Sequence, residues 1–307
     1  MSATTVAAPR QSTAAEWQIW TGLWIVYLVW GSTYLAIRVV VETVPPFLSA
    51  GGRFVIAGAA MLAFLAWRRG SSVLRPARRQ LVSCLAVGVL LMGANAVVSV
   101  AEVDVPSSMA ALLIASVPLW VILYRRALGD RVAAISVLAV LIGFAGVAIL
   151  LLPGKQTGGA PLLALLTCVG AAAMWAGGSV ASTRLALPGD PFVSGGWQML
   201  LGGGVCLLTG ALVGELGDFQ PAEFSSRSLV AFAYLVVFGS WLAFTAYAWL
   251  LQNAPVSRVA TYAYVNPVVA IALGWVILGE AVTATTFAGA GVIVASVAAV
   301  VRTEARR

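Results

Sequence analysis

The side chains able to do chemistry in this chain are few, and the usual ones are missing. Among 307 residues there is no histidine, and the three cysteines, Cys84, Cys168 and Cys206, stand alone inside apolar runs. The commonest metal ligand and the commonest proton shuttle are therefore absent. Three isolated thiols lack the spacing of a disulfide framework or a metal site and read as small buried hydrophobes. What remains is a set of polar and aromatic residues deep in apolar segments: Trp30, Asn95, Ser116, Trp175, Ser240, Trp241 and Asn266, with Tyr262 one helical turn before Asn266. Polar groups at that depth are costly unless partnered, so they turn toward the interior of a bundle. The plainer alternative is hydrogen-bond glue between helices, worth about 0.6 kcal/mol per contact. Residues of these types bind and orient a solute; they do not break bonds. With no acid pair, ligand cluster or nucleophile–base couple, neither a catalytic residue nor a cofactor or metal is expected.

Two charges stand out. Arg53 lies inside an apolar run, about 9 Å from its nearer end at 1.5 Å per residue. It either snorkels outward or points into the bundle as the partner of an anionic group. Glu102 is the deepest acid, seven residues from Asn95 and on the same helical face. As the near candidate for coupling transport to protons it is unusual, but its place at the end of a span makes solvation the simpler reading. Trp20, Trp24, Tyr27, Trp30 and Tyr34, spaced 4, 3, 3 and 4, project within about 120° at 100° per residue and form one face. Trp20 suits an interfacial anchor; the others either pack helices or offer a solute an aromatic wall.

These residues require membrane-spanning helices to hold them. The chain is 61% hydrophobic and 9% charged, with a mean hydropathy of +0.98, whereas soluble domains carry roughly 25% charged residues. Apolar runs of about 20 residues match a hydrocarbon core of about 30 Å. After a polar tail over 1–19, ten helices are expected over 20–41, 47–67, 81–103, 105–127, 132–152, 162–184, 192–214, 229–251, 257–278 and 283–301. Arg68, Arg69, Arg75, Arg78 and Arg79 form the densest positive cluster. Placing that loop in the cytoplasm puts both termini there and leaves only Arg38, Lys155 and Arg227 on the far side. The net charge of +7 thus reflects topology, with the lipid bilayer and a small-molecule substrate as partners and no nucleic acid. The expected location is a bacterial-type inner membrane, crossed many times. Oligomeric state stays open, and a monomer is compatible with the sequence.

The architecture is written twice. Trp30, Pro46, Phe47 and Ser49 recur at Trp175, Pro191, Phe192 and Ser194 with a constant offset of 145. Pro106, Ser108 and Pro118 recur at Pro255, Ser257 and Pro267 with an offset of 149, and LGD ending at Asp130 answers LGE ending at Glu280. A fixed internal period must be settled before any other reading. Residues 20–152 and 162–301 are two repeats joined by a linker at 153–161. Each holds five helices, an odd number, so the second enters the membrane from the opposite side, as in many secondary transporters. Mid-span Pro118 and Pro267 each free the carbonyl four residues back, on Ile114 and Ala263. Kinks for packing or hinging are the default reading, and a carbonyl offered to substrate the sharper one. Gly143, Gly146 and Gly202 to Gly204 read as sites of close helix contact. The counterpart of Arg53 is Gln198, so any shared site is asymmetric in charge.

The runs WGSTYLAIR at 30–38, PPFLSAGGRF at 45–54, VPSSMAALLIASVPLW at 105–120 and the LGD/LGE pair resemble the EamA family of ten-helix exporters in the drug/metabolite transporter superfamily. Arg125 and Arg126 depart from it, standing where an apolar run is more usual. The resemblance implies a bundle with helices 1–4 and 6–9 around a central cavity and helices 5 and 10 peripheral. It also implies export of amino acids and related metabolites, or of drugs. The function expected is secondary transport of small solutes, amino acids (aromatic and other neutral) first, by alternating access, rather than an enzyme. Efflux of cationic drugs and sugar transport are the alternatives. Trp30, Tyr34, Arg53, Asn95, Ser116, Trp175, Trp241, Tyr262 and Asn266 are the candidate substrate contacts. With acids only at span ends or in loops, facilitated diffusion or exchange is the expected mode.

Overall fold

The computed structural model describes residues 15–254, 256–259 and 261–304. Most of the tail, with Arg10, and also Pro255, Arg306 and Arg307 lie outside the described residues. Among those described, ten long apolar helices follow one another with no strand between them: α1 (Glu16–Val40), α2 (Pro46–Arg69), α3 (Arg78–Ala101), α4 (Ser107–Ala127), α5 (Ala134–Leu150), α6 (Leu162–Ser182), α7 (Pro191–Leu212), α8 (Ser226–Leu250), α9 (Tyr262–Leu278) and α10 (Ala284–Glu304). Eight are long and apolar enough to cross a membrane; α5 and α9, at 17 residues each, are shorter. A short helix, Val256–Val259, precedes α9, so this span is broken near its start rather than continuous from residue 257. The helix α1 begins at Glu16, where Gln18 accepts a hydrogen bond from the Ala15 amide at 3.0 Å. Residues 16–19 are therefore helix and not tail.

Proline fixes where several helices begin. Pro46 and Pro191 open α2 and α7, and Pro106 and Pro161 immediately precede α4 and α6. A proline there loses nothing, because the first amides of a helix have no partner within it. Within α4, Pro118 has the expected effect. The helix breaks between Ile114 and Val117, and the Ser116 hydroxyl donates to the Leu113 carbonyl at 2.6 Å.

The two repeats meet along α2 and α7 through glycines. A Cβ at Gly51 would lie 2.9 Å from the Gly203 carbonyl, and one at Gly58 would lie 2.8 Å from the Gly196 carbonyl. Adding the repeat offset of 145 turns Gly51 into Gly196 and Gly58 into Gly203. Each contact is therefore the image of the other, as an isologous two-fold interface requires. The remaining packing obeys the same exchange: α1 lies on α8 and α9, while α6 lies on α3 and α4. Helices α5 and α10 form their own pair, with Gly146 against Val292 and Ile293, and Gly289 against Leu150. This is the inverted five-helix duplication expected from the sequence, and Gly143, Gly146, Gly202 and Gly203 are sites of close approach, whereas Gly204 faces open space.

One seam breaks the symmetry. Between α3 and α7, a Cβ on Gly88 would meet the Gln198 carbonyl at 2.4 Å and one on Gly202 would meet the Gly88 carbonyl at 2.4 Å. The image of that seam, α2 with α8, is looser. Beside it lies an apolar cavity of about 310 Å³ bounded by Leu48, Leu207, Phe219 and Phe232. Ion pairs join helix ends on one face only at a time. Arg69–Asp190, Arg184–Asp130 and Arg258–Glu16 lie on the face with the chain ends, and Arg227–Glu42 lies on the opposite face.

Candidate functional site

Two clusters of polar and aromatic side chains lie between the repeats. The first is aromatic. Trp30 of α1 stands 5.1 Å from Tyr247 of α8 and 5.2 Å from Tyr262 of α9, ring centre to ring centre, and the two tyrosines are 5.8 Å apart. Edge-on and tilted contacts of this kind are the favoured aromatic geometries. Below them the Tyr27 hydroxyl hydrogen-bonds Thr261. Buried Asn266, with its amide nitrogen turned to the carbonyls, donates to Tyr262 at 3.2 Å and Tyr27 at 3.3 Å. The Trp30 indole N–H donates to the Gly239 carbonyl at 3.2 Å.

That last bond depends on a local irregularity. From Leu235 to Leu242, α8 is a π-helix, a wide turn that recurs at functional sites and that Gly-Ser pairs such as Gly239-Ser240 accompany. Each residue of a π-helix advances by less than the usual 100°. This turns Trp241 away from the aromatic cluster and onto the α2 seam, where it is 37% exposed and meets Phe64 at 6.0 Å. Ser240 is buried in the same turn, and its hydroxyl has no hydrogen-bond partner among the described residues.

The second cluster is charged. Arg53 is 5% exposed, so it does not snorkel. Its guanidinium covers the Phe54 ring at 4.2 Å and donates from Nη2 to Asn95 Oδ1 at 3.0 Å, while Nε has no partner among the described residues. It lines a crevice with Ser49, Ser99, Ile37 and Leu235 that is too narrow for a solute in this conformation. Glu102, at the end of α3, is completely buried, and neither carboxylate oxygen has a hydrogen-bond partner among the described residues. The sequence made solvation its simpler reading; complete burial at the end of α3 overturns that. The expectation of facilitated diffusion or exchange rested on the absence of histidine and of any mid-span acid, and the burial of Glu102 removes only the argument from its solvation.

The sequence-derived residues thus divide. Trp30, Tyr262 and Asn266 converge, as do Arg53 and Asn95 with Glu102 nearby. Tyr34 packs between core clusters of both repeats. Trp175 is half-buried on α6. Ser116 is buried and satisfied inside α4. Trp24 and Trp20 face outward, so the aromatic stripe of α1 turns inward only from Tyr27 onward. Tyr247 escaped the sequence reading, because nothing local marks it; only the Gly-Ser pair of the π-helix hints at its helix. Among the described residues no group of three or more acids and cysteines is arranged to hold a metal.

Known proteins match most of the chain. A model of the EamA-like transporter family matches residues 19–152 and again 162–302. An inner membrane transporter of Escherichia coli, YedA, itself described as uncharacterized, is 38% identical over 277 residues, covering 90% of this chain and 88% of its own. The protein PagO of Salmonella typhimurium is 26% identical, with 84% of each chain covered. A WAT1-related chloroplastic protein of Arabidopsis thaliana is 22% identical across 91% of this chain and 68% of its own. A solved crystal structure superposes with a TM-score of 0.63 at 25% identity, covering 95% of this chain and 98% of that one. With both halves matched separately and the duplication visible in the contacts themselves, the chain belongs to the EamA-like transporter family and is a membrane transporter.

Proposed function

We propose that this transporter exports small solutes, amino acids with aromatic or other neutral side chains and related metabolites, by alternating access between the two repeats. Trp30, Tyr34, Arg53, Asn95, Trp175, Tyr262 and Asn266 contact the solute along its route. The membrane is a bacterial-type inner membrane, in keeping with the name of the YedA relative, and the face bearing the chain ends is cytoplasmic, in keeping with its excess of arginine. One observation carries the choice of substrate: a 5%-exposed guanidinium, with no carboxylate in hydrogen-bond range among the described residues, is held between the repeats. A buried charge without a counter-ion is costly, and a solute carboxylate relieves that cost. The aromatic triangle supplies broad apolar contact for the rest of the solute.

The aromatic faces also suit cations, which favours efflux of cationic drugs as the second reading. Counterflow in proteoliposomes decides between them. Vesicles loaded with unlabelled amino acid should draw in labelled phenylalanine or leucine. Faster counterflow of a quaternary ammonium dye, or of a hexose, than of any amino acid would replace this reading.

A further inference from the structure

Arg53 and Glu102 are two buried charges of opposite sign, each left without a charged partner. They lie on neighbouring helices, α2 and α3, and each falls within the other's electrostatic reach. An ion pair between them would be the ordinary solution, since leaving either alone in a low-dielectric interior is expensive. Among the described residues no such pair forms: Arg53 turns instead to the neutral amide of Asn95, and the Glu102 oxygens have no hydrogen-bond partner. The other charges close by are already engaged. Arg38 donates to the backbone carbonyls of Glu102 and Val103, and Glu280 accepts from the Ser107 and Ser108 amides at 2.7 and 2.9 Å. The hydroxyls beside the crevice are engaged too: Ser99 donates to the Asn95 carbonyl and Ser49 to the Pro46 carbonyl. The groups left over are a cation's N–H and an anion's two oxygens.

We propose that Arg53 and Glu102 together hold the head group of an α-amino acid, Arg53 taking the carboxylate and Glu102 the ammonium. This rests on the reading of the protein as an amino-acid transporter and assigns the residues that recognise the class. A zwitterion carries both charges on one carbon, so one solute can meet two opposite charges that do not pair with each other. The unpaired Nε of Arg53 offers a carboxylate the planar guanidinium edge that suits it. Ser99, one turn beyond Asn95 on the same face of α3, lines the crevice with Arg53, and Glu102 follows three residues later at the end of that helix. The apolar cavity of about 310 Å³ shares Ser49 with that crevice, which gives the solute's side chain a place once the α2–α8 seam opens. The second repeat lacks this device: Gln198, the image of Arg53, bonds Ser194 at 2.8 Å. The head-group site is therefore single and belongs to the face opposite the chain ends.

The test uses the full-length protein in liposomes, with labelled phenylalanine counterflow and three competitors: phenylalanine, phenethylamine, which lacks the carboxylate, and hydrocinnamate, which lacks the ammonium. Leucine, isoamylamine and isocaproate run in parallel. In the wild type each half-molecule should compete at least about tenfold less well than the zwitterion. Arg53→Gln should erase the advantage over the amine and keep that over the acid, and Glu102→Gln should do the reverse. These ratios are taken within one variant, so they do not depend on how much of it folds. Where counterflow is too weak, ligand-induced thermal shifts of the purified variant give the same ratios, and Arg53→Lys and Glu102→Asp should keep the wild-type ranking. Equal loss for all three competitors would overturn the assignment and make the pair structural. An unchanged ranking in Glu102→Gln, with loss only of uphill accumulation under an imposed pH gradient, would overturn it in favour of a proton site. If the wild type moves neither amino acid but does move the dye or the hexose, the amino-acid reading fails first and the assignment with it.

Discussion

On the face opposite the chain ends, two carboxylates of the second repeat cap helices of the first. Glu280 accepts from the Ser107 and Ser108 amides and from the Ser107 hydroxyl at the start of α4. Glu215 accepts from the Phe47 and Leu48 amides, at 3.0 and 2.9 Å, at the start of α2. On the face with the chain ends, the corresponding positions behave differently. Asp190 caps its own helix, α7, accepting from Phe192 and Val193, and pairs with Arg69. Asp130, the counterpart of Glu280, holds Arg125 and Arg184 at 3.2 and 2.8 Å. The sequence explains half of this. The position equivalent to Asp190 is Pro45, which has no side-chain acceptor, so α2 must be capped from elsewhere. One face is thus fastened between repeats by charge-assisted bonds to buried or half-buried amides, worth about 1.5–3 kcal/mol each. The other is held by half-exposed ion pairs, which solvent screens to little net stabilisation. The difference teaches which side yields first: in this conformation the face with the chain ends is the weaker.

If the two faces trade places about the α2–α7 seam, the largest effect comes from the seam itself. Gly58→Leu should remove about 3 kcal/mol or more, because its new atoms meet the backbone of α7. The thermal midpoint in detergent should collapse, whereas Gly204→Leu, with nothing within 4 Å, should leave it nearly unchanged. Equal midpoints would break the idea of a fixed seam. Next, Glu280→Ala strands two buried amides at a cost of about 1–3 kcal/mol and should open the fastened face. In a background without the native cysteines, labelling of Ser99→Cys by an impermeant thiol reagent from that side should rise about tenfold. Glu215→Gln keeps an acceptor oxygen and loses only the charge, so a smaller rise, of about threefold, is expected from roughly 0.7 kcal/mol.

The smallest effect belongs to Asp130. Hydrogen bonds from Arg184 and Arg125 hold its carboxyl below the usual aspartate range. Its stabilisation is therefore present above the ordinary aspartate pKa and lost only as pH falls through the lowered value. Labelling from the face with the chain ends should be the same at about pH 6 and pH 8, both far above ordinary carboxylate values. A change across that interval would mean that Asp130 is not what holds this face.

The span pattern was legible because hydropathy and prolines at helix starts are local signals, repeated once at a fixed offset. Arg53 was legible as anomalous, though its direction was not, since both outward and inward rotamers suit its depth; Phe54 and Asn95 decide it. The burial of Glu102 could not be read, because depth along a helix says nothing of what folds over its end. Trp241 was misplaced for a simpler reason: a constant 100° per residue fails across a π-helix. The caps from Glu215 and Glu280 are contacts more than 160 residues apart in sequence, and only the Pro45 for Asp190 exchange hinted at one.

The glycine pairs of α2 and α7 have a consequence for inheritance. Where a side chain faces a side chain, a bulky mutation on one partner can be rescued by a smaller one opposite. At Gly51, Gly58 and Gly203 main-chain atoms lie within 3.0 Å of an added Cβ, and at Gly58 the two nearest are the amide of Leu200 and the carbonyl of Gly196; at Gly196 the nearest atoms belong to the Leu62 side chain. No codon change can trim a backbone amide or carbonyl. The two repeats differ at other paired positions, such as Arg53 and Gln198, but at Gly51, Gly58 and Gly203 a bulkier residue in one repeat finds no room that a smaller side chain in the other could open.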